Sequence, residues 1–313
     1  MLFNVLLIPS KVNEFQIRTA QEFSIFGNEF SIDCTLLEPL PQYDYYTDSR
    51  PAIVLVHGFT SSKLYFRGLA YELNKRGFVC LCITAPGHSA SGGGVVFTWE
   101  NATLSVVKYL RDHASILKID INRIGLVGHS MGAFSVSLAA IMDQELGNYW
   151  INATVAVGGP FLNITEGFGN GLGQFFRIPF VYPNIYYNPD IAIENAIIEG
   201  RTNVSRPYNY MNIIGDKDEA FSVESAYELV YGMSTPAFWN KYGVSSYDKI
   251  VPSQLYGSFN GTARKLVILP GTDHIFEGQK RTTINEVINW FEESMKLKKP
   301  FTLLIIIFVI NVS

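Results

Sequence analysis

The chain has 313 residues, of which 48% are hydrophobic, with a net charge of −4 and a pI near 5.8. That balance offers no electrostatic footprint for nucleic acid. Three cysteines cannot build a disulfide framework, and no His/Cys cluster has zinc-ligand spacing. The length suits one large α/β domain or two small ones, with residues enough to fill a sizeable core.

Residues 12 to 38 alternate in the manner of antiparallel strands, and Gly27-Asn28 between two such runs signals a hairpin turn. Pro39 and Pro41, with a polar and tyrosine-rich segment to Arg50, form the link onward. The β-branched run Ala52-Ile-Val-Leu-Val then suits a strand buried on both faces of a parallel sheet. It ends in His57-Gly58-Phe59, at the C-terminal end where open α/β sheets place their sites. A helix with Leu64, Phe66, Leu69, Ala70 and Leu73 on one face closes at Gly77. Phe78 to Thr84 forms the next strand, with Cys80 and Cys82 on a single face as small core residues. The Gly-rich segment Ala85 to Gly94 lacks the Gly and Lys-Ser/Thr order of a phosphate cradle, so it reads as a plain loop.

Helical spacing returns over Thr98 to Ile116. The stretch Arg123 to Ala133 follows, with an apolar strand (Ile124, Leu126, Val127), then Gly128-His129-Ser130-Met131-Gly132, then a helix to about Leu146. A Gly-x-Ser-x-Gly pattern between strand and helix is a nucleophile elbow. The tight turn requires its glycines, lifts the Ser130 hydroxyl clear of the sheet, and leaves the Met131 N–H at a helix N-terminus where negative charge is favoured. Ala153 to Val157 is another short buried strand. Asn163 to Arg206 breaks the rhythm with Gly, Pro, Asn and clustered aromatics, too long for a plain loop, and reads as an inserted cap. Phe176 and Tyr182 there, with His88 in the Gly-rich loop, are the candidate substrate contacts. Strand Tyr210–Ile214 leads into Gly215-Asp216-Lys217-Asp218, a helix spans Val223 to Val230, and Gly232 to Thr262 reads as irregular. Leu266–Leu269 is the last strand, followed by Pro270-Gly271-Thr272-Asp273-His274 and an amphipathic helix over Thr282 to Met295.

Ser130, then Asp216 or Asp218, then His274 each lie just past a predicted parallel strand. Asp273 is a third carboxylate, set directly beside the histidine in the chain. A serine hydroxyl is a weak nucleophile near neutrality and needs a base within hydrogen-bond reach, which a histidine held by a carboxylate supplies. His57 and His129 sit in motifs whose backbones matter more than their rings, and His113 sits on a helix surface.

The segments His57-Gly58-Phe59, Gly128 to Gly132, Gly215 to Asp218 and Gly271 to His274, in that order, resemble the α/β-hydrolase superfamily from about residue 20 to 296. The likeness is strongest to its esterase, monoglyceride-lipase and serine-aminopeptidase-like members. It implies an α/β fold with a mostly parallel sheet, helices on both faces, N-terminal antiparallel strands and a cap. The domain is expected over 12–296, with the cap at about 163–206 and a tail at 297–313. It further implies Asp218 as the triad acid, being last in Gly-x-x-Asp, and the Phe59 N–H as second oxyanion donor beside Met131. The expected activity is that of a serine hydrolase on a carboxylic ester or thioester with an apolar acyl group. Its partner is then a small-molecule ester or lipid substrate, with no cofactor and no metal. The alternatives are a serine aminopeptidase, with Glu166, Glu194 or Glu199 to anchor an amine, and a non-catalytic binding protein of the same fold.

Both ends are apolar. Met1 to Ile8 lacks the basic start and cleavage site of a signal peptide. Lys296, Lys298 and Lys299 precede the apolar run Phe301 to Ile310, which reads as a membrane contact or C-terminal anchor and makes the protein membrane-associated. Asn-x-Ser/Thr triplets at Asn101, Asn152, Asn163, Asn203, Asn260 and Asn311 point to an extracytoplasmic surface, whereas the lysines point to the opposite side.

Overall fold

The computed structural model describes residues 10–20, 29–46, 49–93, 99–159 and 207–297. The expected Gly27-Asn28 turn, the cap with Phe176 and Tyr182, and the tail beyond Leu297 lie outside them. Strand β1 (Ser10–Arg18) pairs antiparallel with β2 (Ser31–Pro39), Arg18 facing Ser31. Strand β2 in turn pairs antiparallel with β4 (Val79–Ile83). From there the pairing is parallel: β3 (Arg50–Val56), β5 (Ile119–His129), β6 (Ala153–Val157), β7 (Tyr210–Gly215) and β8 (Arg264–Leu269) complete one sheet in the order β1-β2-β4-β3-β5-β6-β7-β8.

The order reverses at β3. The chain leaves it toward β4 on one side and returns as β5 on the other, which opens a crevice past the carboxyl ends of β3 and β5. Register completes the arrangement, because Val56 lies opposite Gly128. The segment after β3 therefore runs directly beside the elbow after β5.

All seven residues of β3 are buried, since helices cover both of its faces. Ile53 and Leu55 pack with α1 (Arg67–Asn74) and α7 (Arg281–Ser294). Val54 and Val56 pack on the other face with α2 (Trp99–Asp112) and α4 (Met131–Glu145). Helix α4 is buried nearly all round, as a helix apolar on every side must be. Two further helices carry their own stop-start signals. In α5 (Val223–Gly232), Ser222 caps the Ser225 N–H, and in α6 (Pro236–Asn240), Thr235 caps the Phe238 N–H with proline at the first turn.

The long helix expected over Thr98 to Ile116 is two. Its path breaks at His113 (φ −103°, ψ 14°), and a short α3 (Ala114–Leu117) follows. The stretch Gly232 to Thr262, expected to be irregular, contains α6 and a cluster in which Trp239, Val244, Ile250 and Tyr256 pack on Ile214 and Leu266.

The expectation of a membrane-associated protein is corrected. Among the described residues no helix is long and apolar enough to cross a membrane, and the longest has 15 residues. A span needs about 20 apolar residues to cover some 30 Å of hydrocarbon. The run Phe301 to Ile310 lies outside the described residues. The sequon reading also weakens. Asn101 is buried within α2, and the Asn152 side-chain oxygen is enclosed, so of the three described acceptors Asn260 alone is exposed.

Candidate active site

The elbow is shaped by what cannot fit. A Cβ on Gly128 would collide with the Gly132 carbonyl, and one on Gly132 would collide with the carbonyls of Val56 and His57. With those positions reduced to hydrogen, α4 starts hard against β3. Ser130 takes a left-handed backbone at φ 54°, ψ −120°, a conformation that costs about 1–3 kcal/mol for a residue with a side chain. It is held there by its N–H, which donates to the Val157 carbonyl at 2.9 Å, and by its carbonyl, which accepts from Phe134. Its side chain makes no capping bond to α4, so the hydroxyl is available elsewhere.

That hydroxyl meets His274. The loop after β8 brings His274 Nε2 to 2.9 Å from Ser130 Oγ, while Nδ1 donates to Asp218 Oδ2 at 2.9 Å. Asp218 is enclosed, and its other oxygen accepts the Ala220 and Phe221 N–H groups at 2.7 and 2.9 Å. Burial alone pushes its carboxyl up, but the bond and charge of His274 and the two N–H groups outweigh that and hold it below the ordinary range. Asp216 turns away and accepts from the Gly271 N–H at 2.7 Å. Asp273 folds back onto the N–H groups of Ile275 and Phe276 at 3.1 Å. Of the three carboxylates named from sequence, Asp218 is the one hydrogen-bonded to the imidazole.

Gly58, just before Phe59, lies against Ser130: a Cβ on it would collide with the Ser130 side chain. The Met131 N–H belongs to the first turn of α4, where a helix has no acceptor of its own. The segment around Phe59 is held by rings. His57 Nε2 accepts from the Ala85 N–H at 2.9 Å, which leaves the proton on Nδ1 to donate to the Gly58 carbonyl at 2.6 Å. Burial drives His57 down to about 4, so it stays neutral in this role. His88 Nε2 accepts from the Thr60 N–H at 3.1 Å, and its ring stands edge-on to His57, Phe59 and Trp99. His88 thus anchors the loop beside the serine, where sequence pointed to a substrate contact.

Three participants carried no sequence signal. The His57 ring was one, since only its backbone was expected to matter. His129 is the second: it stacks on Tyr65 at 4.5 Å and donates from Nε2 to the His274 carbonyl at 2.8 Å. The third is Glu277, wholly buried behind the histidine. Donor atoms of His129, His274 and Glu277 lie within 4.8 Å of one another. The His129 and His274 nitrogens nearest the carboxylate are already engaged by the His274 carbonyl and by Asp218, so the trio is committed to hydrogen bonds rather than to an ion.

A mostly parallel sheet with a Ser–His–Asp line past its carboxyl edge defines the class as a serine hydrolase of α/β type. The chain belongs to the alpha/beta hydrolase family, whose model matches residues 53–296. It is similar to the sn-1-specific diacylglycerol lipase ABHD11 of Xenopus tropicalis, 28% identical over 117 residues, a match that spans 36% of this chain and 35% of that relative. Among solved structures, the Pyrococcus furiosus esterase Pf2001 superposes with a TM-score of 0.58 at 17% identity, covering 91% of this chain and 92% of that one. An esterase of Pyrobaculum calidifontis does so at 0.55 and 18%, covering 92% and 84%. At those identities the structural likeness concerns the fold. Esterase or lipase-like hydrolysis of a small ester or lipid is the general activity of this family.

Proposed function

We propose that the chain cleaves a carboxylic ester or thioester with an apolar acyl group by double displacement through an acyl-Ser130 intermediate. The observation that carries this is the continuous line from Ser130 Oγ through His274 to Asp218, with both steps at 2.9 Å. In it His274 Nε2 takes the serine proton as Oγ attacks the carbonyl carbon. Asp218 holds the proton on Nδ1 and stabilises the imidazolium, which then protonates the leaving alcohol or thiol. The N–H groups of Met131 and Phe59 receive the developing oxyanion, each such donor being worth about 2.7–4 kcal/mol. Water, deprotonated by the same nitrogen, releases the acid.

An apolar acyl group is favoured by Phe59, Ile275 and Phe276. They stand next to the oxyanion segment and the histidine and are 42%, 59% and 53% exposed, where each buried CH₂ of a substrate would contribute about 0.8 kcal/mol. The similarity to a diacylglycerol lipase and to esterases points the same way.

Fluorophosphonate labelling and a p-nitrophenyl ester series test both parts. Wild type should label and Ser130→Ala should not, with turnover falling about 10⁶-fold while the fold persists. Rates should climb from acetate toward longer acyl chains. Labelling at another serine would sink the Ser130 assignment, and a series that falls from acetate upward would sink the apolar acyl site.

A further inference from the structure

Glu277 lies three residues past His274 in a short 3₁₀ turn and is wholly buried. Room is made for it: a Cβ on Gly158, just past β6, would collide with its Oε2. One oxygen, Oε1, accepts the Gly215 N–H at the end of β7. The other, Oε2, is buried with no hydrogen-bond donor among the described residues. Among the described residues, every titratable group around it is accounted for. From the loop after β7 come Asp218 and Glu219, both anionic neighbours. His129, at the end of β5, has Nε2 at 3.9 Å, but that nitrogen donates to the His274 carbonyl. On its own loop, His274 Nδ1 is 3.8 Å away and donates to Asp218. Tyr65, before α1, turns its hydroxyl to Ile275 and Gly278. Among the described residues no lysine or arginine pairs with Glu277.

As a carboxylate this group would be a second anion beside Asp218 with one oxygen unsatisfied, an arrangement that two adjacent buried carboxyls avoid by keeping a proton. As a carboxylic acid, the same Oε2 becomes a donor facing the carboxylate of Asp218, which has accepted a single bond at Oδ2. We infer that Glu277 is a positioning residue for hydrolysis: it stays protonated and donates its Oε2–H to Asp218, fixing the carboxylate that orients His274 without adding charge to it. Consistent with this, burial together with the charge of Asp218 pushes the Glu277 carboxyl up to about 9. Neutrality matters because a second anion beside Asp218, 3.8 Å from Nδ1, would favour the charged imidazole over the neutral form that takes the serine proton.

The inference rests on the serine-hydrolase reading above, so its test includes a readout that needs no turnover. Glu277→Gln keeps an acceptor for Gly215 and an N–H for Asp218, and it serves as the fold-preserving variant beside Glu277→Leu. On p-nitrophenyl butyrate, Glu277→Gln should retain most of kcat, with the acid limb of kcat/KM unmoved. Glu277→Leu should lose about 10–100-fold, in kcat rather than KM. In the infrared spectrum of wild type at pH 7, a buried carboxylic-acid carbonyl band should appear and be missing from Glu277→Gln. A fall of the acid limb by about a unit or more in Glu277→Gln would mean that a negative charge had been removed and would overturn the inference. So would absence of the band, or full activity in both variants. If wild type shows the band yet neither labels nor hydrolyses, the hydrolase reading fails and the protonated pair remains.

Discussion

The two ends of the same parallel strands carry polar clusters built around a strained residue, and they use the strain in opposite ways. At the carboxyl edge, Ser130 sits at φ 54° with its side chain withheld from the backbone and turned to His274. At the amino edge, Asn209 sits at φ 42° and gives its entire amide to the backbone. Its Nδ2 donates to the carbonyls of Asn152 and Phe259, and its Oδ1 accepts from Gly261 and Ala263. Its own carbonyl takes the Thr154 N–H and the Trp290 indole. Asparagine tolerates the left-handed region better than serine does, and every polar atom of its side chain is matched. The upper edge instead gathers titratable groups, Asp218, His274, His57, His129 and Glu277. A site that moves protons needs groups able to change state, whereas a staple needs groups that cannot.

The sharpest way to break this contrast is at Asp218. Asp218→Asn should leave the fold intact and cut turnover by up to about 10⁴, because the amide favours the wrong imidazole tautomer. Asp216→Asn, which disturbs only the bond to Gly271, should cost little activity. Ester hydrolysis by purified variants with matched circular dichroism decides it, and the opposite ranking would move the acid to Asp216.

Asn209→Ala should do the reverse, lowering stability by about 3 kcal/mol with kcat unchanged, since several backbone groups lose buried partners at once. Urea melts alongside kinetics give the answer. A large loss of kcat in the folded protein would mean that the edges are coupled.

The smallest expected effect concerns pH. His57 is neutral in the fold down to about 4 because of its burial, while an unfolded histidine takes up a proton near 6.5. The unfolded state therefore binds more protons between those values. Wild-type stability should drop relative to His57→Gln as pH falls through that window, by about 2 kcal/mol between pH 7 and pH 5. Melts of the two proteins at pH 7 and pH 5 that run parallel would refute it, and Asn209→Ala, which keeps His57, should lose stability with pH in parallel with wild type.

Much of this architecture was legible along the chain. Unbroken apolar runs such as Ile53–Val56 announced strands covered on both faces, and the alternation of such runs with helical spacing announced a parallel sheet. The helix at Pro236–Asn240 was legible too, from Thr235-Pro236, but was missed because the aromatic residues around it mask any period. Local pattern likewise marked Ser130 and His274, each in a glycine-bearing turn after a strand.

What the sequence by itself determined is thus the class: an α/β fold with its candidate nucleophile and base at strand ends, because these depend on short-range periodicity and on turns that only glycine permits. The resemblance pointed to Asp218, while the residues alone left Asp216 and Asp218 open, and tertiary structure brings the Asp218 carboxylate to the imidazole. It also set the ring of His57 to hold the loop beside the serine, and buried the ordinary-looking Glu277 against Asp218. The placements of His57 and Glu277 depend on side-chain direction and on the packing of segments distant in the chain, and no local pattern carries that information.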